Sequence, residues 1–288
     1  MPVQEYIPFR EIPARLNISE GETVLLTSDI LRLAVKARSK EKDFSADAFI
    51  DAFINTLGVN GTLLIPAYNF DLESGDTYSI KDTIPMTGSL AVAAMNRPDF
   101  IRTANPLHSF LVRGKYAGEL AAMQNVSSFG PDSPFAWMKG KDTLMVFAGT
   151  SPFEAMTFTH FVEESLKVGY RKFRKIKLRY TDEQGITKEL AFPIYAKKPG
   201  YTMMLDRLED KLTEEILHRY QINGVPFYAI RCSDAFRVIS RDIAENHAAS
   251  ISGFSPKLYI RDIIKGAVQR FNIFRTTYGK IRSGKRIS

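Results

Sequence analysis

The sequence predicts a layered α/β domain in which helices pack on a mixed, largely parallel sheet and a β-hairpin lobe is added. Three observations carry this. The runs ETVLLTS (22–28), TLLIPAY (62–68) and TLMVFAG (143–149) are apolar and too brief for helices, so each reads as a buried strand. Helical patterns separate them, which is the alternation that builds layered α/β folds. After Arg171 the period changes to strand-like alternation.

The first strand ends at LTSDI, and Ser45 then stands as an N-cap before ADAFIDAFINTL. In that segment Phe49, Ile50, Phe53, Ile54 and Leu57 repeat at helical spacing, with Gly58 as a stop. Asn60-Gly61 makes a turn into the second strand. The third strand leads through small residues into a helical stretch from about Phe153 to Leu166. KIKLRY (175–180), the turn TDEQG and then ITKELAFPIY form a hairpin, giving a lobe over about 172–200. Met203 to Tyr220 again reads as helix, Asn223-Gly224-Val225-Pro226 breaks it, and Phe227 to Arg231 reads as a strand. No internal repeat is present, and the 288 residues are read as one domain.

Composition excludes several function classes. A hydrophobic fraction of 44% and a charged fraction of 25% are those of an ordinary globular protein. No apolar run approaches the roughly 18 to 20 residues of a membrane span. The start MPVQEYIPFREIPARLN lacks a basic head and apolar centre, so the expected compartment is the cytoplasm. Cys232 is the only cysteine, which removes intrachain disulfides and thiolate-based zinc clusters and leaves it as a small buried hydrophobe. The charge of +7 is concentrated at the end: from Ser255 to Ser288, nine basic residues face Asp262 alone. This basic tail (about 255–288) suits nucleic acid, an anionic membrane surface or the phosphates of a ligand, and equally a solvated surface.

Two segments hold side chains suited to chemistry. ANPLHSF (104–110) sets His108 before an apolar run, as a packed spacer or as a base. TFTHFVEE (157–164) sets His160 three residues from Glu163 and four from Glu164, so either carboxylate can share a helical face with the imidazole. Such a pair is found at surfaces as well as in sites. A metal site needs three or four ligands, and with no second helical His/Glu cluster no metal is expected.

Taken in order, LTSDI, ANPLHS, FGPDSP (129–134) and TFTHFVEE resemble the aminoglycoside 3-N-acetyltransferase family, also called the antibiotic N-acetyltransferase family, from about Gly21 to Arg171. Its members carry an HSS-like strand end, HPxHS, FGPxSP and TxxHxxE. Here Thr27 stands at the usual His of the strand end, Asp29 follows Ser28, and Asn105 replaces the first His of HPxHS, while His108 is kept. The resemblance implies transfer of an acyl group from acetyl-coenzyme A to a sugar amine.

On that footing His108 is expected as general base, because a neutral imidazole is available near neutral pH. Glu163, preferred over Glu164 by the motif, orients an imidazole or holds the substrate ammonium, with His160 as partner. Thr27, Ser28 and Ser109 are expected at the coenzyme, with hydroxyls or backbone N–H groups facing the tetrahedral intermediate. The positive tail suits an amino sugar on a nucleotide diphosphate as acceptor; aminoglycosides, which are polycations, are the alternative. A different class is a non-catalytic anion-binding module whose tail sets Tyr259, Phe271, Phe274 and Tyr278 among arginines. Nucleic acid is not expected as a partner of the enzyme, and a homo-oligomer stays open.

Overall fold

The computed structural model describes residues 5–265. Three apolar strands form the centre of its main sheet: β1 (Thr23–Ser28), β2 (Thr62–Tyr68) and, later in the chain, the strand Leu144–Ala148. β3 (Thr77–Ser79) lies outside that sheet, β4 (Ile101–Arg102) is its edge, and β5 (His108–Gly114) runs beside β2. Leu144–Ala148 is β6, followed by the hairpin β7 (Arg171–Thr181) and β8 (Thr187–Lys197). β9 (Tyr201–Met203), β10 (His218–Ile222), β11 (Val225–Arg231) and β12 (Ser252–Phe254) complete the strands.

The seven-stranded order is β10-β11-β6-β1-β2-β5-β4. β1 pairs in parallel with both β2 and β6, while β5 and β11 flank this centre antiparallel. The three runs read as buried strands are therefore the parallel ones. Parallel strands are covered on both faces, hence their continuous apolar character.

Side-chain alternation divides the core between the two faces. Val24, Leu26, Leu63, Ile65, Leu144 and Val146 face one layer, Leu25, Leu64, Met145 and Phe147 the other. The first layer is covered by α1 (Ile12–Arg15), α2 (Leu31–Arg38), α3 (Ala46–Leu57) and α4 (Ser89–Met95). Ser45 caps α3 as expected, its hydroxyl accepting from the Ala48 N–H at 3.0 Å. The second is covered by α5 (Ala117–Ala121), α6 (Pro134–Gly140), α7 (Pro152–Ala155), α8 (Phe158–Ser165) and α9 (Cys232–Glu245). Cys232 is buried there. The β7–β8 hairpin, with β3 along it, has a small core of its own around Tyr78, Ile176, Leu178 and Phe192.

Two expectations are corrected. The helix expected from Phe153 to Leu166 is broken at Met156, whose ψ of 75° lies outside helical values, and the break directs Thr157 into the cleft described below. The helix expected from Met203 to Tyr220 is a short 3₁₀ segment, Leu205–Lys211, followed by β10. Asn223 and Gly224 both have positive φ and join β10 to β11 as a two-residue hairpin, so that Asn-Gly is a strand turn and not a helix end.

Among the described residues no helix is long and apolar enough to cross a membrane. In the basic tail the described part ends with a helical run over 256–265; Phe271, Phe274 and Tyr278 lie outside the described residues.

Candidate active site

The carboxyl ends of the parallel strands open into a cleft of about 260 Å³. Thr27 and Ser28 from β1, Tyr68 and Phe70 at the end of β2, Thr87, and Thr150 with Glu154 and Thr157 after β6 line it. This is where ligands enter sheets of this kind. The turn after β6 depends on Gly149, whose φ is +72° and whose position would place a side-chain Cβ 2.1 Å from the Asp29 carbonyl oxygen. Asp29 spends its carboxylate on the Leu31 N–H at 3.1 Å.

His108 begins β5 directly opposite Tyr68, and its ring packs against Tyr68 and Phe70, both at the cleft. Its Nδ1 is 2.9 Å from the Ser128 hydroxyl, which donates to Asn105 Oδ1 at 3.0 Å. The Asn105 amide is held one way round, since Oδ1 also accepts from the Leu107 and His108 N–H groups and Nδ2 donates to the Val126 carbonyl. With its one hydrogen spent on Asn105, Ser128 must accept from His108, so Nδ1 carries the proton and Nε2 the lone pair. Burial, with a smaller contribution from nearby His160, pushes the His108 pKa down to about 3.

On α8 the geometry resolves which glutamate serves His160. Nδ1 is 2.7 Å from Glu163 Oε2, while Glu164 accepts from the Ser127 hydroxyl instead. Glu163 is fully buried; its Oε1 accepts from the Tyr170 hydroxyl at 2.7 Å and Arg171 Nε lies 2.7 Å from Oε2. That Nε–H is not aimed at the carboxylate, so Arg171 acts there as a charge partner without a formed hydrogen bond. Burial works against the Glu163 charge, yet the hydrogen bond from His160 with the His160 and Arg171 charges outweighs it and holds the carboxyl below the usual range. Arg171 Nη2 also approaches His160 Nδ1 at 3.0 Å. Nδ1 cannot both accept from Arg171 and donate to a carboxylate; the shorter contact to an ionised acceptor decides for donation to Glu163, which in the neutral imidazole puts the lone pair on Nε2.

Phe129, from FGPDSP, lies between the histidines, its ring 4.6 Å from that of His108 and 5.5 Å from that of His160. The rest of that motif starts α6: Ser133 caps it and Pro134 stands in its first turn. Thus Thr27 and Ser28 line the cleft, His108 meets it through Tyr68 and Phe70, and His160 with Glu163 lies behind Phe129, outside that lining. Ser109 is not brought to the cleft. Alternation along β5 turns it to the opposite face, where it is fully buried, donates to the Ala67 carbonyl at 2.7 Å and accepts from buried Arg102. Ser128, Tyr170 and Arg171 were not singled out from sequence; only Ser128, beside FGPDSP, stood next to a usable signal.

Among the described residues no three His, Cys, Asp or Glu side chains converge as a metal site. The sequence model of aminoglycoside 3-N-acetyltransferases matches residues 38–243. No curated protein matches the chain. Among solved structures, aminoglycoside acetyltransferase AAC(3)-Xa is 18% identical, with 82% of this chain and 91% of that one covered and a TM-score of 0.68. AAC-IIIb in its binary complex with CoASH is 15% identical over 84% and 98%, with a TM-score of 0.69. AAC-VIa bound to sisomicin is 16% identical over 85% and 100%, with a TM-score of 0.70. The chain belongs to the aminoglycoside 3-N-acetyltransferase family and is an acyl-CoA-dependent N-acyltransferase that uses acetyl-coenzyme A.

Proposed function

We propose that the chain acetylates an amine of an amino sugar in the cytoplasm, with His160 as the base. The observation that carries this is the His160–Glu163 contact of 2.7 Å, one helical turn beyond Thr157 in the cleft. With Nδ1–H held by a carboxylate, Nε2 takes the proton of the attacking amine, and Glu163 stabilises the imidazolium that results. The amine nitrogen then forms its bond to the thioester carbonyl carbon, the C–S bond breaks, and the proton leaves with the thiolate of coenzyme A. The hydroxyls of Thr27 and Ser28 are the cleft donors for the tetrahedral oxygen, a contribution of about 3 kcal/mol per donor in such sites.

This assignment differs from the sequence expectation for His108. A base with a pKa near 3 accepts a proton poorly at neutral pH. His108 instead stays neutral, and its Nε2 lone pair orients a substrate N–H or O–H. Ser109, committed to Ala67 and Arg102, is left out of the coenzyme site.

Family membership and the sisomicin complex of AAC-VIa favour an aminoglycoside as acceptor. A nucleotide-linked amino sugar is the second reading, favoured by a basic groove of Lys197, Lys198, Arg261 and Lys265 that a polycation would avoid. Release of coenzyme A from acetyl-coenzyme A, followed with sisomicin and with a nucleotide-linked amino sugar, tests the proposal. Amine-dependent release supports it, and release at the same rate without any amine contradicts it.

A further inference from the structure

At the open end of the hairpin a groove of about 590 Å³ is lined by Lys197, Lys198, Tyr201, Thr202, Arg261 and Lys265, with Asp262 as its one carboxylate. Asp262 is already engaged, accepting from the Gly200 N–H at 3.1 Å and from Arg261. Gly200 has a φ of +85°, and a Cβ there would lie 2.8 Å from Tyr259 Cβ and 2.6 Å from the Phe254 ring, so the glycine lets the 256–265 helix close the groove.

The groove adjoins the catalytic wall by two routes. Lys197 pairs directly across the hairpin from Arg171, on the same face, and Arg171 contacts Glu163 and His160. Tyr201 stacks on Tyr170, with centroids 5.6 Å apart, and Tyr170 donates to Glu163. From Tyr201 the aromatic row continues through Phe254 at 5.2 Å to Tyr259 at 5.9 Å, and both of these rings are exposed. Burial and the Arg171 charge lower the Lys197 pKa, outweighing the opposite pull of Glu163 and Asp262.

Cations beside an open aromatic face match a ligand with phosphates and a planar base. We propose that this groove binds a nucleoside diphosphate group, its phosphates on Lys197 and Lys265 and its base against Phe254. The inference rests on the acyl-transfer reading and narrows it, since two reactants carry this chemistry: coenzyme A itself and a nucleotide-linked amino sugar.

The test is calorimetric titration of the full chain with UDP, ADP, coenzyme A and inorganic pyrophosphate. Lys197→Ala/Lys265→Ala is expected to weaken UDP and ADP by about tenfold or more, with a shallower salt dependence than the wild type. Phe254→Ala is expected to weaken UDP and ADP but not pyrophosphate. Wild-type affinities in both variants would overturn the proposal, and an unchanged UDP affinity in Phe254→Ala would overturn its nucleoside part. Kinetics then distinguish the sources. A raised KM for acetyl-coenzyme A, with a short acetyl thioester unaffected, assigns the groove to the coenzyme; a raised KM for a nucleotide-linked amino sugar alone assigns it to the acceptor. Binding needs no turnover, so loss of nucleotide affinity in the variants without any transfer to an amino sugar would retain the groove and reject the amino-sugar reading.

Discussion

Glu163→Gln removes one charge from the centre of the site and leaves its shape almost unaltered. The carboxylate receives the Tyr170 hydroxyl on Oε1, and His160 Nδ1 and Arg171 Nε face Oε2, all at 2.7 Å. An amide has a single oxygen, so either Tyr170 or the His160–Arg171 side would face an NH₂ group that offers nothing to a donor. Arg171, itself buried, would keep the Tyr195 carbonyl as an acceptor but lose its counter-charge. Breaking a buried pair in this way costs about 3 to 5 kcal/mol. For a chain of this size that corresponds to a fall in Tm of roughly 5 to 8 °C. On the kinetic side, an imidazole without its carboxylate loses both its fixed tautomer and the stabilisation of its charged form, and kcat should fall by about 10² to 10⁴. Scanning calorimetry and the coenzyme A release assay read the two effects separately. A lowered Tm with wild-type kcat would make Glu163 structural only, and no change in either would refute the reasoning.

The remaining predictions concern His108 and the cleft turn. Ser128→Ala removes the acceptor that holds the His108 proton on Nδ1, and kcat should fall by about tenfold while stability falls by about 1 to 3 kcal/mol; an unaltered kcat contradicts the tautomer assignment. Because the folded-state pKa of His108 is depressed from 6.5 to about 3, the unfolded chain takes up the proton first as pH falls. Its contribution is whole above about pH 6.5 and is lost progressively down to about pH 3. Urea unfolding at about pH 5 and pH 7.5 should therefore show His108→Gln losing about 2 kcal/mol less between the two than wild type, and equal losses would contradict a half-buried neutral imidazole. Gly149→Ala sets a Cβ against the Asp29 carbonyl at a positive φ and should destabilise the fold by more than about 2 kcal/mol; a wild-type urea midpoint would refute that.

The centre of the fold was legible because parallel strands buried on both faces are written as uninterrupted apolar runs, and β1, β2 and β6 are such runs. Ser45 was legible because capping is local. The edges were harder to read: β10 carries His218, Arg219 and Gln221 on an edge with little apolar alternation, and Asn223-Gly224 marks a turn without stating what it joins. Within the site, helical spacing alone offered His160 both Glu163 and Glu164, and the family motif chose Glu163; in the structure Glu163 meets His160 while Glu164 turns to Ser127. The low pKa of His108 was hidden from sequence because it comes from burial beside Tyr68, Phe70, Phe129 and Phe135, which the chain collects from two separate segments. Ser109 sits next to His108 in sequence, yet strand alternation sends the two to opposite sides of the sheet.

The most direct test of the account compares coenzyme A release by wild type, His160→Ala and His108→Ala with saturating acetyl-coenzyme A and an amino-sugar acceptor, alongside the affinity of each for acetyl-coenzyme A. The account predicts that His160→Ala loses about 10² to 10⁴ in kcat with its coenzyme affinity retained, and that His108→Ala loses less. Full turnover in His160→Ala, with the deep loss in His108→Ala, would contradict it and return the base to β5.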